Sequence, residues 1–404
     1  MSTKSIRSRL GPGLITASVV LGPGSIVASS RAGAETGYAL LWVLVAAGVL
    51  MAVYVSMGAR LGCALGTTPL QYVARRFGRW LAVLAGLSAF LVCGGFQFGN
   101  NLGVAFAVSS ITQTPPYLWP PVFTLFALAF LFGAKRVYLM LERVMMVLVA
   151  IMILAFFANL LFTGIHPVHL LSGLAPDIPK GQGLIARAML ATTFSVVAAF
   201  YQAYLVQAKG WKKADLKDAI VDAWLGIAIL AAISAAILIG AAEVLYGTGE
   251  TFKNVGQLAA ILGNILGPAA NVVFCLGLGA AAFSSFIVNA MVGGTMFADG
   301  LGLDARLDGK ATRGFTAVIM VMGCVVGVLA VGPGKGTTQS LLIAQASTLV
   351  AVPLCAVLLF LLTSQEKTMH GLKNGRGALA LGAAGLCVIL YLSGNVMAGL
   401  FGFG

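Results

Sequence analysis

The chain has 404 residues, of which 59% are hydrophobic and only 9% are charged. A soluble domain carries about 25% charged residues because its surface faces water, so this composition excludes an ordinary soluble protein. The net charge of +13 does not indicate nucleic-acid binding, because the basic residues lie between long apolar runs in a membrane-topology pattern.

The apolar runs repeatedly reach the roughly 20 residues that a helix needs to cross a bilayer. They predict an all-α integral membrane protein with eleven transmembrane helices joined by short connections. The predicted spans cover about 11–31, 38–61, 79–110, 118–134, 137–163, 184–207, 216–245, 268–298, 312–331, 338–364 and 377–401.

The basic residues divide unequally between the two sides of these spans. Twenty of the 25 fall in alternate connections that begin with the N-terminus, and Arg187 falls inside the sixth span. Only four fall on the other side: Arg31, Lys180, Lys253 and Lys335. Because positive residues mark cytoplasmic connections, we expect an inner-membrane protein with a cytoplasmic N-terminus and an outer C-terminus.

The first span is interrupted near its middle by Gly22-Pro23-Gly24, which Ser25 follows. Proline removes a backbone donor and glycine relaxes the backbone, so this segment predicts a helix break. A break in hydrocarbon needs protein or a polar cavity beside it, which favours a substrate site at the bilayer midplane. The alternative is a proline kink that only shapes packing.

The third span carries Gln97, Asn100 and Asn101 at helical spacing. Buried amides need hydrogen-bonding partners, so we expect them to face a polar interior. Glycines at every fourth position beside them predict close helix packing: Gly95, Gly99 and Gly103.

The sixth span lies five spans after the first and contains neither glycine nor proline, so backbone chemistry predicts no break there. It does contain a polar cluster inside an apolar segment: Thr192, Thr193, Ser195, Tyr201 and Gln202. These residues are candidates for the second half of a site. Alternatively, the hydroxyls bond only to preceding carbonyls of their own helix.

The twelve acidic residues all lie away from the predicted midplane of spans one, three and six, and the three histidines lie in connections. Six scattered cysteines form no metal-binding spacing. We therefore predict no metal ligands, no catalytic residues and no cofactor, and we expect a protein that is not an enzyme.

Residues 11–66 resemble the first two helices of the NRAMP family of proton-coupled divalent-metal transporters. The similarity extends to Arg136–Arg143, Tyr204–Gln207 and Ala298–Leu301. The resemblance implies a LeuT-type inverted repeat, five spans plus five, with an appended eleventh helix. Repeat one would cover about 11–163, repeat two about 184–364 and the extra helix about 377–401. It also implies secondary transport by alternating access.

The metal-binding residues of that family do not carry over. Its Asp-Pro-Gly-Asn in helix one corresponds to Gly22-Pro23-Gly24-Ser25. Its helix-six carbonyl and methionine positions correspond to Thr192 and Ser195, and a helix-six histidine to Gln202. Its helix-three acids correspond to Gln97 and Asn100.

The resulting prediction is a transporter with an uncharged site, a small polar solute or anion as substrate, and no standard proton coupling. The predicted substrate-binding residues are Gly22, Ser25, Gln97, Asn100, Thr192, Ser195 and Gln202. One alternative is a divalent metal transporter that uses hydroxyl, carbonyl or hydrated coordination. Another is a channel or a non-transporting scaffold. The expected partners are the lipid bilayer and a small solute or ion, and not nucleic acid.

Overall fold

The computed structural model describes residues 11–164, 167–248, 259, 261, 267–330 and 352–400. Within these ranges the regular structure is helical throughout. The helices are α1 Pro12–Val20, α2 Pro23–Thr36, α3 Leu41–Ala64, α4 Pro69–Phe77, α5 Arg79–Thr112, α6 Trp119–Gly133, α7 Val137–Thr163, α8 Pro167–Ser172, α9 Gly183–Thr193, α10 Val196–Ala208, α11 Leu216–Leu245, α12 Pro268–Leu301, α13 Lys310–Ala330, α14 Val352–Ser364, α15 Glu366–Met369 and α16 Arg376–Leu400.

Nine helical stretches in the described part of the chain are long and apolar enough to cross a membrane, and the bent pair α1–α2 makes a tenth. They agree with predicted spans one to nine and eleven. The tenth predicted span lies partly outside the described residues, which include only its C-terminal portion, α14. The architecture is therefore that of an all-α membrane protein.

The first span is broken where α1 and α2 meet at an angle of 59°. The two non-helical residues are Leu21 and Gly22, and Pro23 and Gly24 already belong to the first turn of α2. The break thus begins one residue before the predicted segment. In the first turn of a helix the backbone amide hydrogens have no intrahelical partner. Proline has no amide hydrogen, so it loses nothing at this position, and Pro23 starts the second helix.

The sixth span is also broken, although it lacks glycine and proline. Helix α9 ends at Thr193 and α10 starts at Val196, so Phe194 and Ser195 are non-helical. The buried Phe194 ring packs edge-on against Tyr54 of α3 at 4.9 Å between ring centroids. Hydroxyl and β-branched residues with poor helix propensity surround the break, and tertiary packing of the ring stabilises it.

Helix α11 packs against α1, α2 and α3, while α12 packs along α5 and against α1 and α7. Small residues allow these close contacts. A β-carbon at Gly13 of α1 would clash with the carbonyl of Asp222 on α11, and one at Gly226 would clash with Gly13 itself. A β-carbon at Gly103 of α5 would clash with Pro23. The broken first span is therefore held tightly by its neighbours.

Candidate functional site

A cavity of about 30 Å³ lies between the two helix breaks. It receives five of the predicted site residues: Gly22, Ser25, Asn100, Thr192 and Ser195. The remaining lining residues are Val19, Val20, Gly24, Phe96, Gly99, Ser285 and Asn289. No ionisable side chain is among them, so the centre of the described bundle is polar and uncharged.

Gln97, which was predicted to bind substrate, does not line this cavity. It forms hydrogen bonds with Asn100 and Asn289, which do line it. Its amide nitrogen donates to the Phe286 carbonyl at 3.1 Å. Its amide oxygen accepts from Asn100 at 3.2 Å and from Asn289 at 3.3 Å. Gln97 is fully buried, so it fixes the orientation of the two asparagines on opposite helices.

The predicted residue Gln202 also lies outside the cavity. Its amide oxygen accepts a hydrogen bond from the hydroxyl of Thr16 on α1. Its amide nitrogen is buried and has no hydrogen-bond partner among the residues that the structure describes. Gln202 therefore connects α1 to α10 on the side of the cavity that the charge distribution predicts to face the cytoplasm.

Serine hydroxyls donate hydrogen bonds to two backbone carbonyls that the first break leaves without a partner in their own helix. Ser25 donates to the Val20 carbonyl at 2.6 Å, and Ser285 donates to the Val19 carbonyl at 3.0 Å. The Ser25 hydroxyl also lies 3.2 Å from the Thr192 carbonyl in the other broken span. A hydroxyl has one proton, so Ser25 shares it between the two carbonyls and ties the two breaks together.

The helices that follow the two breaks, α2 and α10, present their amide ends differently. Gly22 precedes α2 and Ser195 precedes α10, and neither helix start receives a side-chain cap from the residues that the structure describes. The first amides of a helix carry partial positive charge when they are uncapped. Serine hydroxyls therefore cover the carbonyls of Val19, Val20 and Thr192, which would attract a cation. The amides that begin α2 and α10, which would attract an anion, have no side-chain cap among the described residues.

Two fully buried carboxylates in the described part of the chain serve as caps outside the cavity. Asp222 on α11 accepts from the Gly11 amide at 2.9 Å and the Gly13 amide at 2.6 Å. Asp299, in the last turn of α12, accepts from the Leu70 amide at 2.9 Å. Within the described ranges no group of three or more His, Cys, Asp or Glu side chains is placed to hold a metal ion.

A second cavity, of about 160 Å³, adjoins the central one on the predicted outer side and shares Phe96 and Thr192 with it. We call it the outer vestibule. Its charged lining residues are Arg31 and Arg187. A third cavity, of about 750 Å³, lies on the predicted cytoplasmic side and shares no lining residue with the central cavity.

Sequence reasoning missed the contribution of α12. Ser285 and Asn289 lie four residues apart, so they share one helix face. This polar spacing inside an apolar span was the available signal. The interhelical hydrogen bonds of Asn289, including 2.8 Å to the Cys93 carbonyl, have no local sequence signature.

A sequence model of the Nramp family, described as natural resistance-associated macrophage protein-like, matches residues 13–399. The divalent metal cation transporter MntH of Verminephrobacter eiseniae is 26% identical over 97% of this chain and 89% of its own length. MntH of Mycobacterium tuberculosis is 26% identical over 92% and 87%, respectively.

Solved structures show the same fold at lower identity. The manganese transporter of Eremococcus coleocola superposes with a TM-score of 0.83 at 20% identity, covering 98% of this chain and 88% of that one. MhsT in complex with L-phenylalanine superposes with a TM-score of 0.65 at 17% identity, covering 96% and 98%. The LeuT-type fold predicted from sequence is therefore confirmed.

Proposed function

Because the chain belongs to the Nramp family, we propose that it is a membrane transporter whose substrate is a small polar solute or anion. It works by alternating access around the cavity between the two breaks. The observation that carries this proposal is the hydrogen bonding at the breaks. Serine hydroxyls cover the carbonyls of Val19 and Val20, while the helix amides remain uncapped.

This arrangement is unfavourable for a dehydrated divalent cation, which needs anionic or soft ligands to offset its lost hydration. From the resemblance of the first span, the family's metal-binding carboxylate would correspond to Gly22. A β-carbon there would lie 2.8 Å from the Ser285 hydroxyl and 3.3 Å from the Asn100 amide oxygen. An aspartate at this position therefore requires Ser285 to move, which supports a site rebuilt around the missing acid.

The same residues support the absence of standard proton coupling. A proton relay needs titratable groups near the site, and the residues lining the central cavity include no acid and no histidine. The buried acids Asp222 and Asp299 are engaged as backbone caps outside that cavity.

A second candidate is divalent metal transport, which the names of the MntH relatives favour. In this chain the ion would remain partly hydrated and would contact neutral oxygens, such as those of Asn100 and Ser195 at the cavity. A channel or a non-transporting scaffold is the candidate from another class.

Uptake into proteoliposomes separates these functions. We expect no saturable manganese uptake, with or without a pH gradient, and saturable uptake of at least one small anion or neutral solute. Ser25→Ala should reduce that solute uptake, because the hydroxyl joins both breaks. Ser234→Ala is the matched control, since Ser234 is buried in α11 and does not line the cavity.

Manganese uptake that Ser25→Ala abolishes would contradict the proposal and support the second candidate. Solute flux that never saturates would instead indicate a channel. No flux or binding for any solute would indicate a scaffold.

A further inference from the structure

The entrance to the central cavity contains a positive charge that the uncharged site does not explain. Arg187 lies in the second turn of α9, and Arg31 lies on α2 across the outer vestibule. The other residues that line this vestibule are apolar or neutral. Ionisable residues within membrane spans are costly and mark substrate pathways, so this pair requires a functional explanation.

The two arginines differ in how far their charge is neutralised. Arg31 forms an ion pair of 2.6 Å with Glu35, one turn later on α2. Arg187 donates to the carbonyl of Gly183 at 3.2 Å and forms no ion pair with any residue that the structure describes. Arg187 therefore contributes most of the net positive charge of the vestibule.

Arg187 is also close to the site. Thr192, which lines both cavities, lies five positions later in α9, and this corresponds to about 7.5 Å along the helix axis. Phe96 lines the same junction. A positive charge in a pathway with low-dielectric walls concentrates anions at the entrance and repels cations.

We propose that the substrate is a small monovalent anion and that Arg187 is a specificity-determining residue that draws it from the outer vestibule. This proposal rests on the proposed function and deepens it. The cavity of about 30 Å³ limits the anion to a few atoms, and the uncapped amides of α2 and α10 stabilise its charge after it has passed Arg187. The side chains of Asn100 and Asn289, which line the cavity, are neutral amides and do not repel an anion.

The test measures uptake and binding of chloride, nitrate and formate by the full-length protein in proteoliposomes, with urea as a neutral probe. In the wild type, saturable uptake of at least one anion is expected, with a half-saturating concentration that rises with ionic strength. Arg187→Gln should raise that concentration about fivefold to tenfold, and Arg187→Glu should raise it further. Arg187→Lys should restore most of the affinity.

Lys180→Gln is the matched control, because Lys180 lies on the same predicted side and does not line the vestibule. It should leave the half-saturating concentration unchanged. If Arg187→Gln does not give monodisperse protein, two other measurements test whether the positive charge of the outer vestibule attracts the anion. They are the half-saturating concentration of Arg31→Gln and its ionic-strength dependence in the wild type.

Three results overturn the inference. One is urea uptake without uptake or binding of any anion, in which case the uncharged site of the proposed function survives but its anionic substrate does not. Another is anion uptake that is equal in wild type and Arg187→Glu. Manganese uptake by the wild type overturns both the inference and the proposed function.

Discussion

Removing the charge of Asp222 should weaken the attachment of the start of α1 to α11. The Asp222 carboxylate is fully buried and accepts from the Gly11 amide at 2.9 Å and from the Gly13 amide at 2.6 Å. It thereby fastens the start of α1 to α11. In Asp222→Asn, the remaining side-chain oxygen is neutral and can accept from one of these two backbone amides. The side-chain NH₂ group faces the other backbone amide, which loses its acceptor.

Hydrogen bonds to charged groups contribute about 1.5–3 kcal/mol each, so the substitution should cost about 2 kcal/mol. That is about a 30-fold increase in the population of states in which α1 has left α11. Hydrogen–deuterium exchange measured by mass spectrometry should detect it as faster exchange of the α1 amides, by about the same factor.

Asp299→Asn is the matched control for this experiment. Asp299 is also a fully buried carboxylate, but it caps α4 through the Leu70 amide. Its substitution should accelerate exchange in α4 and leave α1 protected. Unchanged protection of α1 in Asp222→Asn would refute the view that this carboxylate holds α1 against α11.

Three further predictions concern packing and the amide network. Gly103→Val should lower the melting temperature of the purified protein by overpacking against Pro23, at a cost of about 1–3 kcal/mol. A β-carbon at Gly94 on the same helix would meet no atom of the described residues within 4 Å, so Gly94→Val is the control and should have a smaller effect. Gln97→Leu removes the oxygen that accepts hydrogen bonds from the buried amides of Asn100 and Asn289, and each amide left without its acceptor costs about 1–3 kcal/mol. Solute binding measured by titration should therefore weaken by at least about tenfold. Unchanged affinity would show that these hydrogen bonds do not support the site. Phe194→Ala should destabilise the fold by about 3–5 kcal/mol, measured as thermal unfolding, because the ring that packs on α3 is lost.

The first break could be predicted from sequence because its cause is local. Pro23 cannot continue α1 and is well suited to begin α2, whatever surrounds it. The second break could not be predicted in the same way. Phe194 and Ser195 adopt non-helical conformations, and the Phe194 ring packs against Tyr54, about 140 residues earlier in the chain.

The candidate site was partly predictable for a related reason. Residues at the breaks, such as Ser25 and Thr192, line the cavity wherever the broken helices meet. Gln97 and Gln202 were also predicted to bind substrate, but partners on other helices hold their amides outside the cavity. Which face of a buried helix meets which neighbour depends on long-range packing, and the sequence pattern of an all-apolar bundle carries little of that information.

The buried acids illustrate the same limit. The sequence placed Asp222, like the other acids, away from the predicted midplane of spans one, three and six, and no role was predicted for it. Its partners, Gly11 and Gly13, lie more than 200 positions earlier in the chain. A helix cap supplied over such a distance has no local motif, so only the folded structure reveals it.

Calorimetric titration of manganese into the purified protein shows whether the central cavity has lost the metal site. We expect no saturable binding to the wild type, because no carboxylate is among the described residues that line the cavity and serine hydroxyls cover the nearby carbonyls. We expect measurable binding to a variant that combines Gly22→Asp and Ser25→Asn with Ser285→Ala, which makes room for the new carboxylate. Saturable manganese binding to the wild type, lost in Ser25→Ala and retained in Ser234→Ala, would show that the cavity still binds a divalent metal.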